Sequence, residues 1–322
     1  MLGAWLSSST AAAEPADPHQ DIRGVTISTH RYNRAWASPA MAPTMDAIKS
    51  DGANWVSIHP YAQIQANGEV RWRPIDPKDP PAWLVHPIQQ AHARGLKILI
   101  KPHLAYWGSP FSWRGEIRFD DPAARARFFE SYSRWISQVA AVTRAADAFV
   151  VGTELDGTIQ HEAEWRRVIA TVRAAHPGQL TYAANWDQYR RVPFWDAVDA
   201  VGIQAYFPVL KAGEPVTPQT LDAGWVRIAG ELKAFSISTG KPIVFTELGY
   251  DAAPFAAVEP WRSGRGSPET QRLATAAALR VLQREPHIRG AFLWKWFPGE
   301  LQAGDFRLSD PQMRAVLRAA WK

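Results

Sequence analysis

Eight short β-branched or apolar runs alternate with longer segments of helical period along nearly all of this 322-residue chain. That alternation predicts an α/β fold built as a single (β/α)8 TIM barrel, and the chain length suits one. A doubly wound sheet is the competing architecture, but it normally carries a glycine-rich phosphate turn after its first strand. Here the first run continues into Ser28-Thr29-His30, and neither G-x-G-x-x-G nor G-x-x-x-x-G-K-[ST] occurs anywhere.

The strand candidates are 22–27, 55–58, 97–101, 148–151, 180–184, 200–204, 242–246 and 290–295. A helix over 81–94 stops at Gly95, and an amphipathic one over 123–144 leads into the fourth strand. Another ends at His176-Pro177-Gly178 before the fifth strand, and Gly240 precedes the seventh. Residues 21–322 are read as the barrel and 1–20 as an N-terminal tail. In that tail Leu2–Leu6 and the Ser/Thr/Ala run after it resemble the end of a signal peptide and an A-x-A cleavage site, without a basic n-region. The expectation is a secreted or periplasmic protein, with a cytoplasmic one as the alternative.

Composition removes whole classes of function. With no cysteine, thiol nucleophiles, disulfide scaffolds, iron–sulfur clusters and cysteine-ligated zinc are excluded. The net charge of +5 comes from scattered basic residues with no run of five or six, so nucleic acid is not an expected partner. No stretch approaches the roughly 20 apolar residues of a membrane helix, so no membrane insertion is expected. The 16 tryptophans are the unusual count: exposed indoles stack well on flat ligand faces, including the CH faces of sugars.

In (β/α)8 barrels the reactive groups follow the C-terminal ends of the strands. Read there, the chain shows His30-Arg31-Tyr32, His59-Pro60-Tyr61, Lys101-Pro102-His103, Gly152-Thr153-Glu154, Asn185-Trp186-Asp187, Gln204-Ala205-Tyr206, Thr246-Glu247 and Trp294-Lys295-Trp296. A single Glu at a strand end is commonly a surface or salt-bridge residue. Glu154 and Glu247, each directly continuing an apolar strand in an aromatic-rich mouth, suit glycosidic cleavage by paired carboxylates. A metal set of His59, His103, Glu154 and Glu247 is the competing chemistry, although no H-E-x-x-H or calcium loop supports it. A serine hydrolase would need a G-x-S-x-G elbow, which is missing.

The motifs Gly152-Thr153-Glu154, Thr246-Glu247-Leu248-Gly249-Tyr250 and Trp294-Lys295-Trp296 resemble those of clan A glycoside hydrolases, and most closely glycoside hydrolase family 113, which is chiefly endo-β-1,4-mannanase. The resemblance runs from residue 22 onward. It implies a retaining hydrolase of a β-linked polysaccharide, with Glu154 as acid/base, Glu247 as nucleophile, β-1,4-mannan as leading substrate, no cofactor and no metal. One departure is Thr153, where most clan A enzymes carry an Asn that contacts the sugar 2-hydroxyl. That contact then falls to Asn185 or His103.

Around this pair, Tyr206 is placed to donate a hydrogen bond to Glu247. Lys101 and His103 share a face where they can bind sugar hydroxyls or balance the glutamates, and His59 and Arg31 can do likewise. Trp294 and Trp296 alternate along one strand and are expected on one face, with Trp296, nearer the open end, the better sugar platform. Trp107, Trp113 and Trp186 are loop residues suited to outer subsites. A monomer is expected. The alternatives are a non-catalytic carbohydrate-binding barrel, which would need neither glutamate, and a glycosidase for another β-glycan or a uronate-bearing exopolysaccharide.

Overall fold

The computed structural model describes residues 22–30, 33–299 and 305–322. The tail at 1–20, with its signal-peptide reading, and Arg31 lie outside the described residues. In chain order the strands are β1 (Ile22–Ile27), β2 (Trp55–Ile58), β3 (Tyr61–Ile64), β4 (Val70–Arg71), β5 (Lys97–Ile100), β6 (His103–Ala105), β7 (Ala148–Thr153), β8 (Gln179–Asn185), β9 (Ala200–Gln204), β10 (Ile243–Leu248) and β11 (Ile288–Trp296). The helices are α1 (Met41–Ser50), α2 (Ala82–His92), α3 (Pro122–Val142), α4 (Glu162–Ala175), α5 (Pro218–Thr239), α6 (Pro268–Leu282) and α7 (Pro311–Trp321). Eight strands, in the order β1-β2-β5-β7-β8-β9-β10-β11, close into an all-parallel barrel. This is the (β/α)8 fold, and all eight expected strands are in it.

Local chemistry explains where the helices start. Asp121-Pro122, Thr217-Pro218, Ser267-Pro268 and Asp310-Pro311 each place a side-chain acceptor on the free N–H groups of the first turn, followed by a proline that has no N–H to satisfy. One unit lacks its helix: the 14 residues between β8 and β9, interrupted by Pro193, form only two 3₁₀ turns. The lower barrel is filled by Trp55, Leu99, Val150, Ala183, Val244 and Phe292. Gly24 makes room for Phe292, since a Cβ there would lie 2.5 Å from the ring.

A small sheet that the sequence pattern does not announce sits at the mouth, in the order β4-β3-β6. Pro60 and Pro102 each follow a barrel strand and lack the N–H that would continue its ladder. Beyond them the two chains pair again, with the His103 N–H donating to Pro60 O at 2.8 Å. His59, Lys101 and His103 therefore sit at the junction of barrel and cap.

Three barrel strands carry a register irregularity just where their functional residues begin. On β7 it falls between Val150 and Thr153, on β10 between Phe245 and Glu247, and on β11 it places Trp294 opposite Thr26 but Trp296 opposite Ile27. An extra residue in a strand breaks the period-2 alternation and re-aims the side chains beyond it. Gly152 belongs to the first of these: a Cβ there would come within 2.6 Å of Trp165 and 2.8 Å of Tyr182.

Candidate active site

Glu247 lies inside β10, almost fully buried, and both of its oxygens are held. Lys101, wholly buried at the end of β5, donates its ammonium to Oε1 and, at 3.0 Å, to Thr246 O. The Tyr206 hydroxyl donates to Oε2 at 2.7 Å. Burial alone would raise the Glu247 carboxyl, but the Lys101 charge and the two hydrogen bonds hold it below the ordinary glutamate range. Burial in turn pushes the Lys101 ammonium down, and the Glu247 charge opposes that shift. The pair is therefore an anion and a cation in a water-poor cavity.

Glu154 follows β7 with φ at +54°, in the left-handed region that costs a non-glycine residue about 1–2 kcal/mol. Its N–H is tied to Ala183 O at 2.9 Å, and the next N–H to the buried Tyr182 hydroxyl at 2.9 Å. This backbone turn presents the carboxylate to Arg114, which donates to Oε2 from Nη2 at 2.6 Å and from Nε at 3.1 Å. Thr153 spends its hydroxyl on Pro102 O at 3.0 Å.

Beside Glu247 stands a wall of rings. His59 stacks on His103 with centroids 5.0 Å apart, and Trp294 lies 5.1 Å from His59. The Lys101 ammonium lies 5.2 Å from the Trp294 ring centroid. His103 Nε2 is 3.7 Å from Glu247 Oε1 and has no hydrogen-bond partner among the described residues. Burial and the neighbouring cations hold both histidines well below their ordinary range, so at neutral pH they are uncharged.

The comparison with family models supplies the decisive observation: the model of Glycoside Hydrolase Family 113 matches residues 25–305. The chain belongs to glycoside hydrolase family 113. It is a glycoside hydrolase enzyme. Among solved structures it is similar to the family 113 β-mannanase of Alicyclobacillus acidocaldarius in complex with ManMIm, at 26% identity and a TM-score of 0.80, covering 93% of this chain and 96% of that one. A family 113 β-1,4-mannanase complex shares 21% identity with a TM-score of 0.81, covering 94% and 99%, which speaks for the fold. No curated protein matches the chain.

In this family 113 hydrolase the expected site residues separate into groups. Glu247, Lys101, His103, His59, Tyr206 and Trp294 form one cluster, with Glu154 held beside it by Arg114. Asn185 donates to Asp156 Oδ2 at 2.7 Å, two residues beyond Glu154. Trp107 stands half exposed on the rim, 5.7 Å from Tyr61, and Trp113 is exposed just before the turn that carries Arg114. Trp186 is stacked on Trp261 at 5.6 Å, at the rim rather than in the cluster. Trp296 is corrected: it is buried in the core with the Arg314 guanidinium of α7 5.6 Å from its ring, because the irregularity at Lys295 turns it away from Trp294. The competing metal set is not assembled, since Glu154 faces Arg114 and Glu247 faces Lys101, and no metal-binding cluster of such residues occurs among the described residues.

Three further residues belong to the site that the sequence pattern gives no role. Arg114 sits in a 3₁₀ turn of the loop after β6, far from any strand end, and nothing in its neighbours marks it. Tyr61 follows His59-Pro60, a readable position, and its ring meets both His59 and His103. Burial, with the nearby Glu154 and Asp187 charges, raises the Asp156 carboxyl to about 7, against the hydrogen bond from Asn185. No helix among the described residues is long and apolar enough to cross a membrane.

Proposed function

We propose that the protein hydrolyses β-1,4-linked mannan with net retention, using Glu247 as nucleophile and Glu154 as acid/base. The observation that carries this reading is the grip of Lys101 and Tyr206 on Glu247. A nucleophile must be ionised, and a cation and a hydroxyl donor on its two oxygens keep this buried carboxylate so. In the first step a Glu247 oxygen attacks the anomeric carbon while Glu154 protonates the departing glycosidic oxygen. In the second, Glu154 takes a proton from water, which displaces Glu247 and regenerates the carboxylate.

Arg114 is suited to orient Glu154, and Trp294 with His59 and His103 forms a surface against which a sugar ring would lie. The mannan assignment is supported by family membership and by the similarity to a solved β-mannanase. Reducing-end release from soluble mannan and glucomannan, compared between wild type and Glu247→Ala of equal circular dichroism, tests the reading. Release that disappears in the variant, with the β-anomer formed first by proton NMR, is the expected result. Release of the α-anomer overturns retention, and no release from any β-linked glycan overturns the substrate.

A further inference from the structure

Beside the catalytic cluster the mouth opens into two adjoining clefts of about 330 and 170 Å³ that share Tyr61, Trp72 and Arg73. They adjoin the site through Tyr61, whose ring lies 5.6 Å from His103 and 5.3 Å from His59. Their lining has a consistent chemistry. Aromatic faces come from Tyr61, Trp72 and Trp107, and guanidinium groups from Arg34, Arg71 and Arg73, while no Asp or Glu lines either cleft.

The cations differ in how they are occupied. Arg71 is paired with Glu69 at 2.9 Å. Arg34 and Arg73 are exposed and form no ion pair with a described carboxylate, although they border the same 170 Å³ cleft. Asn33 borders it as well. It is more than nine-tenths buried, and its side-chain oxygen has no hydrogen-bond partner among the described residues. Buried polar atoms are almost always satisfied, so an unpaired acceptor in a cleft wall marks a place where a ligand donor fits.

Two unpaired guanidinium groups, aromatic walls and a waiting acceptor, one ring away from His59 and His103, describe a site for an anionic sugar. The geometry points to a uronate subsite, in which Arg34 and Arg73 receive the C6 carboxylate of a hexuronate unit of the bound glycan, Asn33 accepts from a ring hydroxyl, and Tyr61 and Trp72 stack on the ring. Planar guanidinium forks match a carboxylate in two parallel hydrogen bonds, which favours a carboxylate over a neutral hydroxymethyl at that position. The enzyme then selects acid-bearing stretches of a β-linked chain, and this rests on the glycosidase reading above.

The test compares β-1,4-mannan oligosaccharides with the same oligosaccharides partly oxidised at C6, in wild type and in the Arg34→Gln/Arg73→Gln double variant. Wild type is expected to favour the oxidised substrate in kcat/KM, and the ratio of oxidised to neutral to fall at least roughly 10-fold in the double variant. The wild-type preference should also shrink as ionic strength rises. A ratio that does not change in the variant overturns the uronate subsite while leaving neutral cleavage standing. If neither substrate is cleaved, the mannan reading fails separately. Calorimetric titration of the oxidised oligosaccharide then decides the subsite: binding weakened about 10-fold in the variant supports it, and equal or absent binding in both proteins overturns it.

Discussion

Lys101 and Glu247 meet across the barrel: one follows the third barrel strand, the other lies in the seventh, and their side chains join in the buried mouth. A barrel places such strands on opposite walls, so this ion pair spans the cavity and fixes its floor. Removing the cation leaves a buried carboxylate without its counter-charge. Lys101→Met is expected to destabilise the fold by about 3–5 kcal/mol in urea unfolding. It should also raise the Glu247 carboxyl, so that the acidic limb of kcat/KM against pH moves to higher pH.

Glu154→Ala is expected to lower turnover of mannan roughly 10²–10⁴-fold, the range for loss of a general acid. On an aryl glycoside whose leaving group needs no proton, the first step survives and azide should restore turnover as the β-glycosyl azide. Glu247→Ala should show neither activity nor that rescue. Equal and small losses in both variants would remove the assigned pair.

Arg114→Ala withdraws the two charge-assisted hydrogen bonds on Glu154. A loss of roughly 10- to 100-fold in kcat/KM is expected on mannan, with a smaller loss on activated aryl glycosides, because only the former depend on a well-placed acid. An identical loss on both substrates would show that Arg114 serves the fold rather than proton transfer.

The two β11 indoles, Trp294 and Trp296, should separate cleanly. Trp296→Ala opens the packed core beside α7 and is expected to cost about 3–5 kcal/mol in stability. Trp294→Ala should change the melting temperature less and the Michaelis constant more. Thermal melts and steady-state kinetics on the same preparations check both.

Asp156 gives a prediction in pH. Its carboxyl is raised to about 7 in the folded protein, above the ordinary aspartate value, so the folded state holds a proton that the unfolded chain has released. Its contribution to stability is full below about pH 4 and is lost as pH rises through 7. Asp156→Asn, which cannot ionise and keeps an oxygen for Asn185, should therefore raise the melting temperature relative to wild type at pH 8 and leave it nearly equal at pH 4.

The barrel is legible because a buried parallel strand must be a short apolar run, and its helix must carry a 3.6-residue stripe. The capping pairs such as Asp121-Pro122 are equally local. Strand-end position alone brings out Glu154, Glu247, Tyr206 and Lys101. Arg114 is not legible, since a loop residue reaches its partner through a path that no periodicity encodes. Trp296 is misplaced when alternation is carried through Lys295, because the irregular pairing with β1 interrupts it.

The sequence by itself determined the order of strands and helices and which chemical groups arrive at the barrel mouth. Both come from local pattern, because burial and backbone hydrogen bonding are decided residue by residue along each strand. Only the tertiary structure decided which way those groups turn and whom they meet: Lys101 on Glu247, Arg114 on Glu154, Trp294 toward the cavity and Trp296 away from it. Those outcomes depend on register between neighbouring strands and on loops folding across the mouth, and a one-residue slip in register reverses the face a side chain presents.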